Sequence, residues 1–293
     1  MKRRCRVVAS SPPKRRGAVL VTGTSSGIGK AIVEELAAAG FTIFATVRNE
    51  VDRSAVEALH TRIRGILLDV TDRESVAKAA QTVEQCGTPL EGVVNNAGIA
   101  IGGPLEYLPL DELRTQLEVN VIGSLAVTQA FLPQLRAVHG RVIFIGSVAG
   151  RIAVPFIGPY SASKFALRAV ADALRIELGH SGIRVSLIEP GSVRTPIWRK
   201  GRETRAALEE RLGTAGAAHY GDALRALMRQ TEQEERIGMP PQRVARAVLQ
   251  ALTSRRPRAH YMLGAPARIG AILSLLPASL HDRFMRASMR LKR

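Results

Sequence analysis

The sequence predicts an α/β domain built on one doubly wound parallel sheet of about seven strands. Three observations predict it. Short apolar runs, rich in β-branched residues, alternate with stretches of helical period from residue 17 to residue 264. The runs are apolar throughout, as in strands covered on both faces. Polar and glycine-bearing clusters follow directly after several runs, at the carboxyl ends where such sheets bind ligands.

Ala18–Thr22 reads as the first strand, followed by a glycine-rich turn and a helix through Ala39. Gly40 suits the C-terminal position that favours glycine. Thr42–Val47 and Gly65–Asp69 read as the second and third strands. Residues 71–85 are helical in period, with Thr71 or Asp72 as the cap. Gly92–Asn95 is a short buried strand. Residues 110–138 read as one long helix bent at Pro133. Arg141–Ile145 is a strand, Ser161–Leu178 a helix and Arg184–Glu189 a strand. Pro241–Thr253 reads as a helix and His260–Leu263 as the last strand.

The ends of the chain differ from this core. The formal net charge is +17. Residues 1–16 carry +7 of it and residues 265–293 carry +5. The first segment also holds Ser10-Ser11-Pro12-Pro13 and reads as a disordered basic tail. Residues 265–293 read as a basic amphipathic helical extension, broken at Pro277. Such ends favour polyanions, including an anionic membrane surface contacted peripherally, although a solvated tail and a packed helix are the plainer readings. No apolar run reaches the roughly 20 residues that span a bilayer, and no secretory signal is apparent. The expectation is a cytoplasmic protein, with Cys5 and Cys86 as free thiols and no metal site.

Thr22-Gly23-Thr24-Ser25-Ser26-Gly27-Ile28-Gly29 joins the first strand to the first helix. Glycines permit a sharp turn and a close approach by phosphate, and the helix N-terminus offers free N–H groups. Tyr160 and Lys164 lie four apart and so share one helical face. An ordinary tyrosine titrates near 10, and a nearby ammonium lowers that value toward proton exchange at neutral pH. Ser147, at a strand end, can hold a substrate oxygen.

Gly23-x-x-x-Gly27-x-Gly29, Asn95-Asn96-Ala97-Gly98, Asn120, Ser147, Tyr160-x-x-x-Lys164, Pro190-Gly191 and Thr195 together resemble the short-chain dehydrogenase/reductase family. The resemblance covers about residues 17 to 195 and implies a Rossmann-type sheet. It implies hydride transfer between a nicotinamide cofactor and an alcohol/ketone pair. In that reading Tyr160 is the general acid/base, and Lys164 tunes it and holds the cofactor ribose. Asn120 supports a proton relay to Lys164. Gly23, Ser25, Ser26, Gly27, Ile28, Gly29, Asn96, Ala97, Gly98, Pro190, Gly191, Val193 and Thr195 contact the cofactor, as do Asp69 and Val70 at the adenine. Asn95 is read as structural, bonding between strands. Val47 stands where the family carries an NAD-selecting acid, and Arg48 follows it. NADP(H) is therefore preferred, with NAD(H) possible.

Ile99, Val148, Ala149, Val154, Phe156 and Trp198 are candidate substrate walls beside Ser147, and all six are apolar. Residues 197–238 interrupt the strand–helix rhythm and read as a substrate lid. The C-terminal pattern resembles family members acting on retinoids and steroids, so a bulky hydrophobic alcohol or ketone is the preferred substrate. The resemblance also implies a homodimer or homotetramer joined through helix 110–138 and the Tyr160 helix. A 3-ketoacyl-thioester reductase is the alternative on the same residues. A nucleotide-sensing or polyanion-binding protein is the alternative of another class. Nucleic acid is not an expected partner, because aromatic residues are only 4 % of the chain and stacking platforms are scarce.

Overall fold

A computed structural model describes residues 16–195, 197, 210, 212–222, 224, 225, 229 and 237–289. Residues 1–15 of the expected tail, most of the expected lid and Trp198 fall outside the described residues.

Seven parallel strands form one sheet: β1 (Ala18–Val21), β2 (Thr42–Val47), β3 (Ile63–Leu67), β4 (Leu90–Asn95), β5 (Arg141–Ile145), β6 (Arg184–Pro190) and β7 (His260–Leu263). Their order is β3-β2-β1-β4-β5-β6-β7. The order reverses between β1 and β4, where Val21 lies opposite Val94. That reversal opens a crevice at the carboxyl ends of the two strands.

Nine α-helices are described with full bounds: α1 (Gly27–Ala38), α2 (Glu50–Glu57), α3 (Arg73–Gln85), α4 (Leu110–Leu117), α5 (Ser124–Ala137), α6 (Gly158–Glu177), α7 (Pro241–Thr253), α8 (Ala265–Leu273) and α9 (Ala278–Met289). One apolar cluster includes Ile32, Phe41, Ile43 and Val248 and buries α1 and α7 on one face of the sheet. The other includes Phe44, Phe131, Phe144 and Leu167 and buries α3, α5 and α6 on the opposite face. The strands are apolar throughout because both faces are covered. The Arg141 guanidinium donates to the carbonyls of Ala251 and Ser254, satisfying the end of α7 with a cation where the helix dipole favours one.

Several local expectations hold. Gly40 adopts φ +95° just after α1. Asp72 caps α3, accepting from the Glu74 N–H at 2.9 Å. Others change. The sequence reading has no α2, although Asn49 caps it by accepting from the Asp52 N–H at 2.8 Å. Its one buried residue, Val56, leaves little apolar periodicity to read. The long helix over 110–138 is interrupted by a π-helical turn at Glu118–Gly123, while Pro133 sits inside α5 without ending it. Asn95 bonds to a helix rather than between strands: its Nδ2 donates to Thr128 Oγ1 on α5 at 2.8 Å.

The C-terminal extension is packed in part on the domain. Ala267, Gly270 and Leu273 of α8 are buried. A Cβ on Gly270 would lie 2.4 Å from Val148 Cγ2, so a larger residue there would have to push Val148 aside.

Candidate active site

The glycine-rich turn is held from two sides. Thr24 donates from both its N–H and its hydroxyl to the Thr46 carbonyl, each at 3.0 Å. Asn96 Nδ2 donates to the carbonyls of Thr22 and Gly23 at 2.9 Å. Thr22 Oγ1 accepts from the N–H groups of Asn96 and Ala97. Gly23 and Gly27 adopt φ +67° and +58°, in the left-handed region that glycine tolerates. A Cβ on Gly29 would lie 2.2 Å from the Gly23 carbonyl oxygen, so the turn closes tightly onto the start of α1. Ser26 precedes α1 in extended geometry without a side-chain cap, and the first turn of α1 carries no acid. These N–H groups and the half-buried Ser26 hydroxyl suit an anionic group. The cradle thus fits a dinucleotide pyrophosphate on its own geometry. Asn96 braces the turn from behind, a role its motif alone does not reveal.

Arg48 is exposed at the end of β2, and its charge lowers the Asp69 carboxyl. The larger causes of that lowering are the Thr71 N–H and hydroxyl, which donate to Asp69 Oδ1 at 2.9 and 2.7 Å. Val70 is buried against Gly123 of the π turn. This end of the crevice therefore carries both a fixed carboxylate and a cation.

Ser147, Tyr160 and Lys164 come together where the end of β5 meets α6. Ser147 Oγ accepts from the Ala149 N–H at 3.1 Å and lies near enough to the Tyr160 hydroxyl to lower its value. Lys164 is buried, donates from Nζ to the Ile145 carbonyl at 2.9 Å, and stands 5.7 Å from the Tyr160 ring centre. Burial pushes the Tyr160 hydroxyl above its ordinary value, with Ser147 opposing that shift. Burial also lowers Lys164 to about 8. Desolvation therefore dominates both groups, whereas the sequence reading expects the ammonium to pull Tyr160 down.

Asn120 lies in the π turn and is buried. Its Oδ1 accepts from the Ile99 N–H, and its Nδ2 donates to the Ile99 carbonyl and to Ser163 Oγ. Ser163 Oγ donates in turn to the Tyr160 carbonyl at 2.7 Å. Gln116, absent from the sequence reading, completes the bracket: Oε1 accepts from the Ile101 N–H, and Nε2 donates to the Ile99 carbonyl, both at 2.7 Å. Asn120 and Gln116 thus strap the segment after Gly98 to the helix, close beside α6.

Pro190 ends β6, and the Gly191 N–H donates to the Leu263 carbonyl at 3.0 Å. Val193 is buried and bridges to Met239, with Arg194 and Met239 N–H groups bonding across. Thr195 is half-buried. Among the expected walls, Ala149 is buried, and Ile99, Val148, Val154 and Phe156 are half-buried. Phe156 adopts φ +64°, a strained geometry for a bulky residue. Its ring meets Tyr220 edge-on at 6.1 Å, and Tyr220 meets Tyr107 the same way at 6.0 Å. Tyr220 Oη donates to Glu106 at 2.7 Å. Tyr107 and Tyr220 join this aromatic cluster and are absent from the sequence reading.

The family model for short chain dehydrogenase matches residues 17–206. The chain belongs to this family. It is 37 % identical over 274 residues to the NADPH-dependent 3-dehydrocapnine reductase of Ornithobacterium rhinotracheale, covering 90 % of this chain and 94 % of that one. It is 40 % identical over 290 residues to human retinol dehydrogenase 5, covering 93 % and 88 %. A short chain dehydrogenase from Burkholderia cenocepacia J2315, solved in complex with NADP, superposes with a TM-score of 0.71. The two are 25 % identical, over 92 % of this chain and 97 % of that one. The short-chain dehydrogenase fold and the oxidoreductase class, interconverting alcohols and carbonyls with a nicotinamide cofactor, therefore describe this chain.

Proposed function

We propose that this short-chain dehydrogenase interconverts a bulky hydrophobic alcohol and its ketone or aldehyde, using NADP(H). The observation that carries the reading is the meeting of Ser147 and Tyr160 beside a buried Lys164, whose Nζ stands 5.7 Å from the Tyr160 ring centre, with apolar residues around them. Bound nicotinamide supplies or accepts the hydride. Tyr160 donates its proton to the substrate oxygen during reduction and takes it back during oxidation. Ser147 holds that oxygen as charge develops. Lys164 and Asn120 keep the Tyr160 helix in register with the crevice. Arg48 supports NADP(H), because a guanidinium grips a ribose phosphate in bidentate fashion. The similarity to an NADPH-dependent reductase supports the same choice, and the similarity to a retinol dehydrogenase supports a lipophilic substrate. The test is NADPH-dependent reduction of a panel of aldehydes graded in size, with Tyr160→Phe as the control. Turnover of only small polar carbonyls would sink the substrate class.

Residues 197–238 act as the lid in this reading, and the Tyr107–Phe156–Tyr220 cluster supports it by joining residue 220 to the mouth of the site. A homo-oligomer is supported by Ile122, Phe165 and Ile176, which leave α6 and the neighbouring π turn with exposed apolar side chains. Sedimentation velocity checks this, and a monomer at micromolar concentration would sink it. Contact with an anionic membrane is supported by the outer surface of the C-terminal helices. Ile269, Ile272, Leu275, Leu280 and Phe284 are exposed there, beside Arg268, Arg283 and Arg286. No helix among the described residues is long and apolar enough to cross a membrane, so the contact is peripheral. Salt-sensitive cosedimentation with phosphatidylglycerol vesicles tests it.

A further inference from the structure

Behind the active site, residues from four segments meet in a half-buried charge network. Glu189 is 1 % exposed and lies on β6 directly before Pro190-Gly191. Arg151 forks onto it, Nε to Oε1 and Nη2 to Oε2, both at 2.7 Å. Arg151 closes the turn that begins at Ser147. His260, the first residue of β7, places Nδ1 2.9 Å from Glu189 Oε2 and Nε2 3.0 Å from Asp172 Oδ1. Asp172 lies on α6, two turns beyond Lys164, and also accepts from Arg175 Nη2 at 2.9 Å. Arg168 Nε stands 3.9 Å from Asp172 Oδ2.

Ionised carboxylates only accept hydrogen bonds. A histidine with one at each ring nitrogen must donate from both, so His260 is held as an imidazolium. Arg151 Nη2 approaches Nδ1 to 3.3 Å, and this like charge opposes that state. The two carboxylates outweigh it, and His260 titrates above its ordinary value, the Glu189 bond being the largest cause. The groups facing His260 are Glu189 from β6, Asp172 with its partners Arg175 and Arg168 from α6, and Arg151 from the turn after β5. Neither α7 nor α8, also packed on β7, brings a charged group to hydrogen-bond or ion-pair distance of it among the described residues.

We propose that His260 is a positioning residue for the cofactor site. As an imidazolium it clamps Glu189 to Asp172, fixing the β6 end and the Ser147 turn against the helix that carries Tyr160 and Lys164. The clamp has a pH window with a defined sign. A base with a raised value contributes fully below about 6.5 and loses that contribution as pH rises through its folded-state value. Glu189 and Asp172 are both lowered by their hydrogen-bonded partners, against the effect of burial. They hold the clamp above the ordinary carboxylate range and release it only as pH falls through their depressed values.

The inference rests on the NADP(H) reading, and its test separates the two. The probes are imidazole NMR titration of the six histidines and NADPH affinity by fluorescence, for the full chain and its His260→Gln and Asp172→Asn variants. His260 is expected to titrate above 6.5 and to move down in Asp172→Asn. NADPH binding is expected to weaken about tenfold in His260→Gln at pH 6. That deficit should shrink across the pH at which His260 itself titrates, because the wild type then loses the same clamp. A His260 midpoint at or below 6.5 overturns the proposal, as does a deficit constant with pH or no deficit. NADPH binding to none of the proteins would instead overturn the cofactor reading, and the titration would still decide the clamp.

Discussion

Asn120 Nδ2 donates to Ser163 Oγ across 3.0 Å, joining the π turn to α6, the helix that carries Tyr160 and Lys164. The same amide brackets the Ile99 backbone from both sides. Asn120→Ala removes three hydrogen bonds and leaves the buried Ser163 hydroxyl without its donor. An unsatisfied buried group costs about 1–3 kcal/mol. The variant is expected to lose about 2–4 kcal/mol of stability and at least ten times its kcat. Thermal melting and steady-state kinetics check both, and an unchanged melting temperature would count against the bracket.

Lys164 gives a prediction of opposite sign for stability. Burial displaces it from 10.5 to about 8. At about 1.4 kcal/mol per pH unit, holding it charged at pH 7 costs about 3 kcal/mol. A base with a lowered value bears this cost fully below its folded value and sheds it as pH rises toward its unfolded one. Lys164→Met removes the cost but forfeits the bond to Ile145, worth about 1 kcal/mol. The variant is expected to melt a few degrees higher at pH 7 while losing turnover. The gain should vanish at pH 10, and a variant less stable at both pH values would refute it.

Much of this arrangement is legible in the sequence because it is local. Tyr160 and Lys164 share a helical face by spacing alone, and the glycines mark the turn after β1. Strands such as Thr42–Val47 are read within a residue because burial on both faces makes them apolar throughout. The π turn at 118–123 leaves no such mark, since widening a helix by one residue changes no periodicity strongly. The network of Arg151, Asp172, Glu189 and His260 is invisible for another reason. Its members are up to 109 residues apart, and only the β5-β6-β7 order brings them together. Asn96 shows the same limit: its motif places it near the turn but not as the brace beneath Gly23.

Arg48 decides the cofactor in this reading. It is exposed at the end of β2, so removing it disturbs no packing. A charge-assisted bond to a phosphate is worth about 1.5–3 kcal/mol, equivalent to about 10–100-fold in affinity. Arg48→Ala is expected to weaken NADPH by that factor and to leave NADH within about twofold. Side-by-side fluorescence titration checks it. Equal loss of both cofactors would assign Arg48 to the turn rather than to the phosphate.

In the proposed substrate reading, Phe156 couples strain to substrate size. Its backbone sits at φ +64°, its carbonyl accepts the Gly103 N–H, and its ring meets Tyr220. Left-handed geometry costs a non-glycine residue about 1–3 kcal/mol. An edge-to-face aromatic pair returns about 0.5–1.5 kcal/mol. Phe156→Gly removes both, so the two effects offset in part and stability should change by no more than about 2.5 kcal/mol. The apolar surface lost at the mouth of the site acts on large substrates only. KM for a long-chain aldehyde such as decanal is therefore expected to rise about tenfold, while KM for propanal stays within about twofold. A parallel rise for both aldehydes would mean that the ring holds the catalytic helix rather than the substrate.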